Sequence, residues 1–212
     1  MSDYFRSGFV GGAPEPASPR RRRLLRSTAA LSGIGLAPGL LLPLHAAAAR
    51  LPTVPYVSTP PAVVRRMLAL GRVGRGDTVY DLGCGDGRIV IEAARRHGAH
   101  GVGIDLDPRR IREARENARR AGVERRVQFR QADLFATDFS PATVLMLYLL
   151  FEVNLKLMPL LWRQLRVGSR VVSHDFHMGG QWPPEQIVRI GDKTLHAWTI
   201  TPELKEALAA RP

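Results

Sequence analysis

The chain has 212 residues, a length that suits one domain with an appendage, and its hydrophobic fraction of 45% is that of a globular protein. Its single cysteine, Cys84, excludes an internal disulfide and a cysteine-based metal cage. A net charge of +12, carried mostly by arginine, favours anionic partners, but no aromatic residues are interleaved with the basic ones, so nucleic acid is the less supported of these.

Residues 1–50 hold seven arginines and two acids, which is five of the twelve net charges. The run Pro19-Arg20-Arg21-Arg22-Arg23-Leu24-Leu25-Arg26 is followed by an uncharged stretch from Ala29 to Ala49 that ends in small residues. That is the order of a signal peptide, and the Arg21-Arg22 pair resembles a twin-arginine leader. Pro38 and Pro43, with Gly33, Gly35 and Gly39, interrupt the apolar run and argue against a spanning helix.

Regular patterning begins at Leu51, so residues 51–212 are expected to form one folded domain behind a leader of residues 1–50. A proline-rich extended stretch, Pro52 to Pro61, comes first. Thr59 is placed to cap a helix starting at Pro60 or Pro61, where proline suits the first turn. Val63, Val64, Met67, Leu68 and Leu70 form the apolar stripe of that helix, and Gly71 stops it. A strand over Thr78–Leu82, a helix over Gly87–His97, a strand over Gly101–Asp105 and a helix over Pro108–Ala121 follow. Next come strands over Arg126–Arg130 and Ala142–Tyr148, then a helix over Glu152–Leu165 disturbed near Pro159. A strand over Ser169–Phe176 precedes two short strands at Gln186–Ile190 and Thr194–Ile200. Apolar strands alternating with helices predict an α/β fold: a Rossmann-like, doubly wound sheet of about seven strands, mostly parallel. The last two strands have no helix between them and predict a terminal antiparallel hairpin.

The segment Val79-Tyr80-Asp81-Leu82-Gly83-Cys84-Gly85-Asp86-Gly87-Arg88 passes from strand through three alternate glycines into a helix. Glycine admits a ligand close to the backbone, and open α/β sheets bind ligands at this end of the first strand. A dinucleotide loop needs its third glycine one place later, where Arg88 stands, and Asp81 and Asp86 oppose a pyrophosphate. The same charges suit a cation such as the sulfonium of S-adenosyl-L-methionine. No Gly-Lys-Ser/Thr follows, which excludes a phosphate-binding P-loop. Asp105, at the end of the second strand, can accept from both hydroxyls of a ribose, with Asp107 as its neighbour. Asp133, after the third strand, can accept from an adenine amino group, with Leu134 against the ring.

At these residues the chain resembles class I, seven-strand methyltransferases. Asp81-Leu-Gly-Cys-Gly-Asp-Gly87 matches their first motif, Gly103-Ile-Asp105 the second and Ala132-Asp133-Leu134 the third. The resemblance spans about Pro55 to Ile200 and implies that the donor's methionine part lies along the glycine loop, with Asp81 near its amino group. The expected donor-lining set is Tyr56, Thr59, Asp81, Gly83, Cys84, Gly85, Asp105, Leu106, Asp133 and Leu134. A narrower likeness rests on Pro55-Tyr-Val-Ser-Thr-Pro60, Leu147-Tyr-Leu-Leu150 and Arg170-Val-Val-Ser-His-Asp-Phe176. These look like the protein-lysine methyltransferases that modify the ATP synthase c-subunit and related membrane proteins, with Ser58 in place of their proline. That likeness implies a protein lysine as acceptor, on a membrane-embedded partner, and a leader that associates with the membrane.

Methyl transfer needs acceptor, methyl and sulfur in line, and a lysine acceptor must first lose its proton. Candidates at the ends of the fourth and fifth strands are Tyr148, Glu152 and Asp175, with His174 beside them. Glu152 equally suits the positive end of the following helix. His174, His177 and Asp175 are of metal-ligating type, but strand positions three apart face opposite ways, and no metal is expected. Trp162, Trp182 and Trp198 are expected in the core or at its rim. Two rival readings are a methyltransferase acting on RNA or a small molecule, and a donor-binding scaffold without activity. The missing Asn-Pro-Pro-Tyr after the fourth strand argues against methylation of a base. Export through a twin-arginine route would separate the enzyme from a donor made in the cytoplasm. An uncleaved leader on the cytoplasmic face of the membrane would not.

Overall fold

The structure is a computed structural model that describes residues 57–210. In chain order these form α1 (Pro61–Leu70), β1 (Thr78–Leu82), α2 (Arg88–His97), β2 (His100–Asp105), α3 (Pro108–Arg120) and β3 (Val127–Gln131). A single 3₁₀ turn (Leu134–Ala136), β4 (Val144–Leu147), α4 (Phe151–Gln164), β5 (Arg170–His174), β6 (Gln186–Ile190), β7 (Lys193–Thr199) and α5 (Pro202–Ala209) complete them.

The strands make one seven-stranded sheet in the order β3-β2-β1-β4-β5-β7-β6. β1 to β5 run parallel, and β7 lies antiparallel between β5 and β6. The expected α/β fold and terminal hairpin are both present. The chain winds outward from β1 through β2 to β3 and then returns to β4 on the other side of β1. The carboxyl ends of β1 and β4 therefore flank the point where the winding reverses, and ligand crevices form there in sheets of this kind.

Alternation along each strand divides the apolar residues between two cores. Val79 of β1, with Val144 and Met146 of β4, packs against Val64, Met67 and Leu68 of α1 and Val90 and Ala93 of α2. Tyr80 and Leu82, with Leu145 and Leu147, pack against Leu157, Leu161 and Trp162 of α4 on the opposite face. The three tryptophans belong to this second core: Trp182 lies 5.8 Å from Trp162 and 5.6 Å from Trp198, centroid to centroid.

Several local features depart from the sequence reading. Thr59 does not cap α1, whose N-cap is Pro60 with no side-chain hydrogen bond; the Thr59 hydroxyl pairs instead with His174 Nδ1, 3.2 Å away. α4 continues unbroken through Pro159, which is exposed on the helix's outer side, where the carbonyl it leaves unpartnered can be hydrated. α5 follows the last strand: the Thr201 hydroxyl accepts from Leu204 N at 3.2 Å, Pro202 fills the first helical position, and Lys205 donates to the Trp162 and Arg163 carbonyls at the end of α4. Among the described residues no helix is long and apolar enough to cross a membrane.

Candidate functional site

The glycine loop between β1 and α2 holds Gly83, Gly85 and Gly87 at φ values of 81°, 53° and 79°. Left-handed backbone at alternate residues is the first reason for glycine here. The second is packing, at Gly87: a Cβ there would stand 2.6 Å from the Phe129 ring of β3 and 2.9 Å from Ala114 of α3. The third glycine therefore answers to the fold rather than to a ligand. The loop is tied to β2 from both sides. Gly83 N and Cys84 N donate to the Ile104 carbonyl at 2.8 and 2.9 Å, and Gly85 N donates to Asp105 Oδ2 at 2.9 Å.

Asp105 is the clamp on that loop, and its other oxygen accepts from Asp107 N at 2.9 Å. A carboxylate oxygen has a second lone pair, so both can still accept from a hydroxyl. Asp81, one strand over and 2% exposed, has its pKa pushed up to about 8 by burial, then by the charges of Asp105 and Asp86. Two carboxyl groups thus share one small region with too little positive charge for both to ionise at neutral pH, and a cationic ligand would relieve that. Asp86 contributes less than its sequence position suggests: the Arg88 guanidinium grips it at 2.9 Å (Nε to Oδ1) and 2.6 Å (Nη2 to Oδ2), while Arg88 Nη1 donates to the Thr59 carbonyl at 2.8 Å. The Cys84 thiol beside them is raised by burial and by Asp81, so it stays protonated.

Asp133 stands at the end of β3, next along the sheet. It is exposed, and its Oδ1 accepts from Phe135 N at 2.9 Å, capping the 3₁₀ turn that Leu134 opens. Leu134 is half-buried, whereas Leu106, between Asp105 and Asp107, is 54% exposed. Tyr56 lies outside the described residues.

On the other side of β1 the ends of β4, β5 and β7 meet. Tyr148, just past β4, stacks on the buried His174 ring with centroids 3.9 Å apart. Phe176 is 6.4 Å from Tyr148. His174 Nε2 is 3.4 Å from Asp175 Oδ2, and burial lowers the imidazole's pKa, so the ring is neutral at neutral pH. Asp175 takes a left-handed φ of 61° at the point where β5 ends. Its Oδ1 accepts from Thr194 N at 3.0 Å, its N donates to the Thr194 carbonyl at 2.7 Å, and Lys193 Nζ is 3.8 Å from Oδ2. Burial, and then the Asp175 charge, hold the Tyr148 phenol above its ordinary pKa. Glu152 is exposed in the first turn of α4. His177 turns to Phe151 and His196, 5.0 and 5.8 Å away between centroids, and its Nδ1 accepts from Gly179 N, so it does not join His174. Among the described residues no three His, Cys, Asp or Glu side chains gather as a metal site.

The structure thus brings Asp81 and Asp105 together at one end of the glycine loop, and Tyr148 and Asp175 together through His174. Two residues of these clusters escape the sequence reading. Arg88 is visible only as the residue that breaks a dinucleotide motif. Lys193 lies eighteen residues beyond Asp175 and reaches it because β7 pairs with β5, which no local signal announces.

A family model described as the ANTKMT methyltransferase domain matches residues 81–186. The chain is 44% identical to a protein-lysine N-methyltransferase of Saccharolobus islandicus, an alignment covering 68% of this chain and 90% of that one. It is 30% identical to the human lysine N-methyltransferase of the ATP synthase c-subunit, over 86% of this chain and 80% of the relative. Among solved structures, an RNA methyltransferase from Salinibacter ruber in complex with S-adenosyl-L-homocysteine superposes with a TM-score of 0.68 at 55% identity, covering 69% of this chain and 95% of that one.

Proposed function

The chain belongs to the ANTKMT-type methyltransferase family, and from that premise we propose that it transfers a methyl group from S-adenosyl-L-methionine to the side-chain amine of a protein lysine. The observation that carries the donor assignment is the Asp81–Asp105 pair: a buried acid raised to about 8 beside a second carboxylate is a site short of positive charge. An anionic dinucleotide would deepen that deficit, and a sulfonium with an α-amino group relieves it. In this reading Asp81 faces the amino group, the glycine loop with Cys84 follows the methionine part, and Asp105 receives the ribose hydroxyls. Leu106, Asp133 and Leu134 line the base, and Tyr56 and Thr59 complete the donor-binding set.

Bound at this site, the donor supplies an activated methyl group; the chain's own residues present the acceptor. Tyr148 walls the acceptor side, its ring fixed against His174. Its phenol, held protonated above the ordinary range, can orient an incoming amine through the oxygen lone pairs. Asp175 attracts the lysine's ammonium and can take up the proton, directly or through water. Glu152, at the first turn of α4, adds negative charge near the same strand end. Residues 51–212 form the enzyme proper in this reading, and residues 1–50 hold it at the cytoplasmic face of a membrane, where the lysine belongs to an embedded protein.

The 55% identity to the Salinibacter RNA methyltransferase supports a second reading with RNA as acceptor. One experiment decides between them: tritiated donor is incubated with membrane protein, soluble protein and RNA fractions, and the labelled product is hydrolysed. Methyl-lysine from a protein fraction is the expected result. Label confined to RNA overturns the lysine assignment, and donor binding without label in any fraction points to a scaffold.

A further inference from the structure

Three of the chain's thirty-one basic side chains are lysines: Lys156, Lys193 and Lys205. Lys205 is engaged at the end of α4, and Lys156 is exposed on that helix. Lys193, by contrast, stands among the residues assigned to the acceptor. It opens β7, with Nζ 3.8 Å from Asp175 Oδ2 and 3.1 Å from Asp192 Oδ2. The arrangement is built by main-chain pairing, since Thr194 exchanges two hydrogen bonds with Asp175, one through backbone and one through the carboxylate. The titratable groups that face this pair are Tyr148 from the end of β4, His174 from β5 and Asp192 from the β6–β7 turn. His174 is neutral and Tyr148 is protonated, while the Asp192 carboxylate, 84% exposed, is the nearer of the two acids to the Lys193 ammonium. The charges that an arriving lysine meets here are therefore the carboxylates of Asp175 and, further out, Asp192, with the Lys193 ammonium between them.

On the lysine reading given above, we propose that Lys193 is a positioning residue that neutralises Asp175, so that the acceptor lysine reaches the methyl donor as a free amine rather than as a bound ammonium. A lone carboxylate within ~4–6 Å stabilises an ammonium and raises its pKa by roughly 1–3 units. An Asp175 without a partner would attract the substrate and then hold it in the form that cannot attack. Lys193, shared between Asp175 and Asp192, weakens that hold and sets a like charge beside it, which disfavours a second ammonium at the same place. The ammonium's proton leaves first, to solvent water with Asp175 as a transient acceptor; the free amine's lone pair then forms the new N–C bond while the sulfur keeps the electrons of the broken one.

The test uses the full chain in two measurements. With ¹⁵Nζ,¹³Cε-labelled lysine the protein gives three titratable signals, few enough to assign by substitution. The Lys193 midpoint should lie above the ordinary lysine range, held there first by Asp192 and then by Asp175, and should fall part of the way back in Asp175→Asn, while Lys156 and Lys205 stay put. A midpoint that does not respond to Asp175→Asn overturns the pairing. The second measurement is the pH profile of initial methyl incorporation into the protein fraction that accepts label. In Lys193→Gln the acid limb should move up by about one pH unit, leaving a roughly tenfold deficit at neutral pH that closes at alkaline pH. Lys193→Arg should restore the limb. A loss uniform across pH, unrescued by arginine, overturns the inference and leaves lysine methylation standing. Label found only in RNA removes both.

Discussion

Asp81 shows how one residue couples the site to pH. Its pKa of about 8 lies far above the ordinary carboxylate value of 3.8, so the folded chain without donor holds a proton that the unfolded chain releases. Between those values the native state binds more protons, and stability falls as pH rises. Asp81→Asn should therefore stabilise the donor-free protein at pH 8 to 9, by an amount on the order of several kcal/mol, as denaturant unfolding would report. A cationic donor binds the ionised form, so its affinity should rise with pH and level off above about 8. Calorimetry in buffers of different ionisation heat should show about one proton released per donor bound near pH 6 to 7. A flat affinity from pH 5 to 9 would mean that Asp81 does not face positive charge. The acids of the first and second strands were readable from the sequence because each lies at or next to the carboxyl end of its strand, where such sheets bind ligands. The Asp86 charge was overvalued there, since its partner Arg88 is revealed only by side-chain geometry.

At the scale of elements, glycine separates two physical demands. Gly87 combines a φ of 79° with a Cβ that would meet Phe129 at 2.6 Å, whereas Gly122, at φ 66°, has nothing within 4 Å. Gly122→Ala should cost about 1–2 kcal/mol for backbone alone. Gly87→Ala should cost about 2–4 kcal/mol, because overpacking of β3 and α3 is added. Equal losses in urea unfolding would show that the packing contact yields at no cost. Periodicity placed the other strands and helices within a few residues, most of them on a buried stripe or a buried run, although β3 buries only Phe129 and β6 buries no residue fully. It stopped short at α5, whose capping signal, Thr201-Pro202-Glu203, is present, but whose only partly buried apolar residues Leu204 and Leu208 make a weak stripe. It also ran β5 two residues too far, to Phe176, because the left-handed turn at Asp175 is imposed by Thr194 from a distant strand.

For the whole molecule, the donor should act as a folding ligand, because the loop, β2 and the end of β1 are joined only in the native sheet. At about 100 times its Kd it should add ~2.7 kcal/mol and raise Tm by roughly 5–10 °C. Asp105→Ala, which removes the acceptor for Gly85 N, should weaken donor binding roughly 10- to 100-fold and abolish most of that rise. A full rise in the variant would remove Asp105 from the ribose role.

The order and kind of elements from α1 to β7, the glycine loop and the acids near the strand ends followed from the sequence alone, because each is a local pattern of burial, backbone freedom or charge within about twenty residues. The strand order, the insertion of β7 beside β5, the grip of Arg88 on Asp86 and the meeting of Tyr148, His174, Asp175 and Lys193 were decided only by the tertiary structure. They depend on pairings between segments far apart in the chain, whose energies come from contacts that no short stretch of sequence contains.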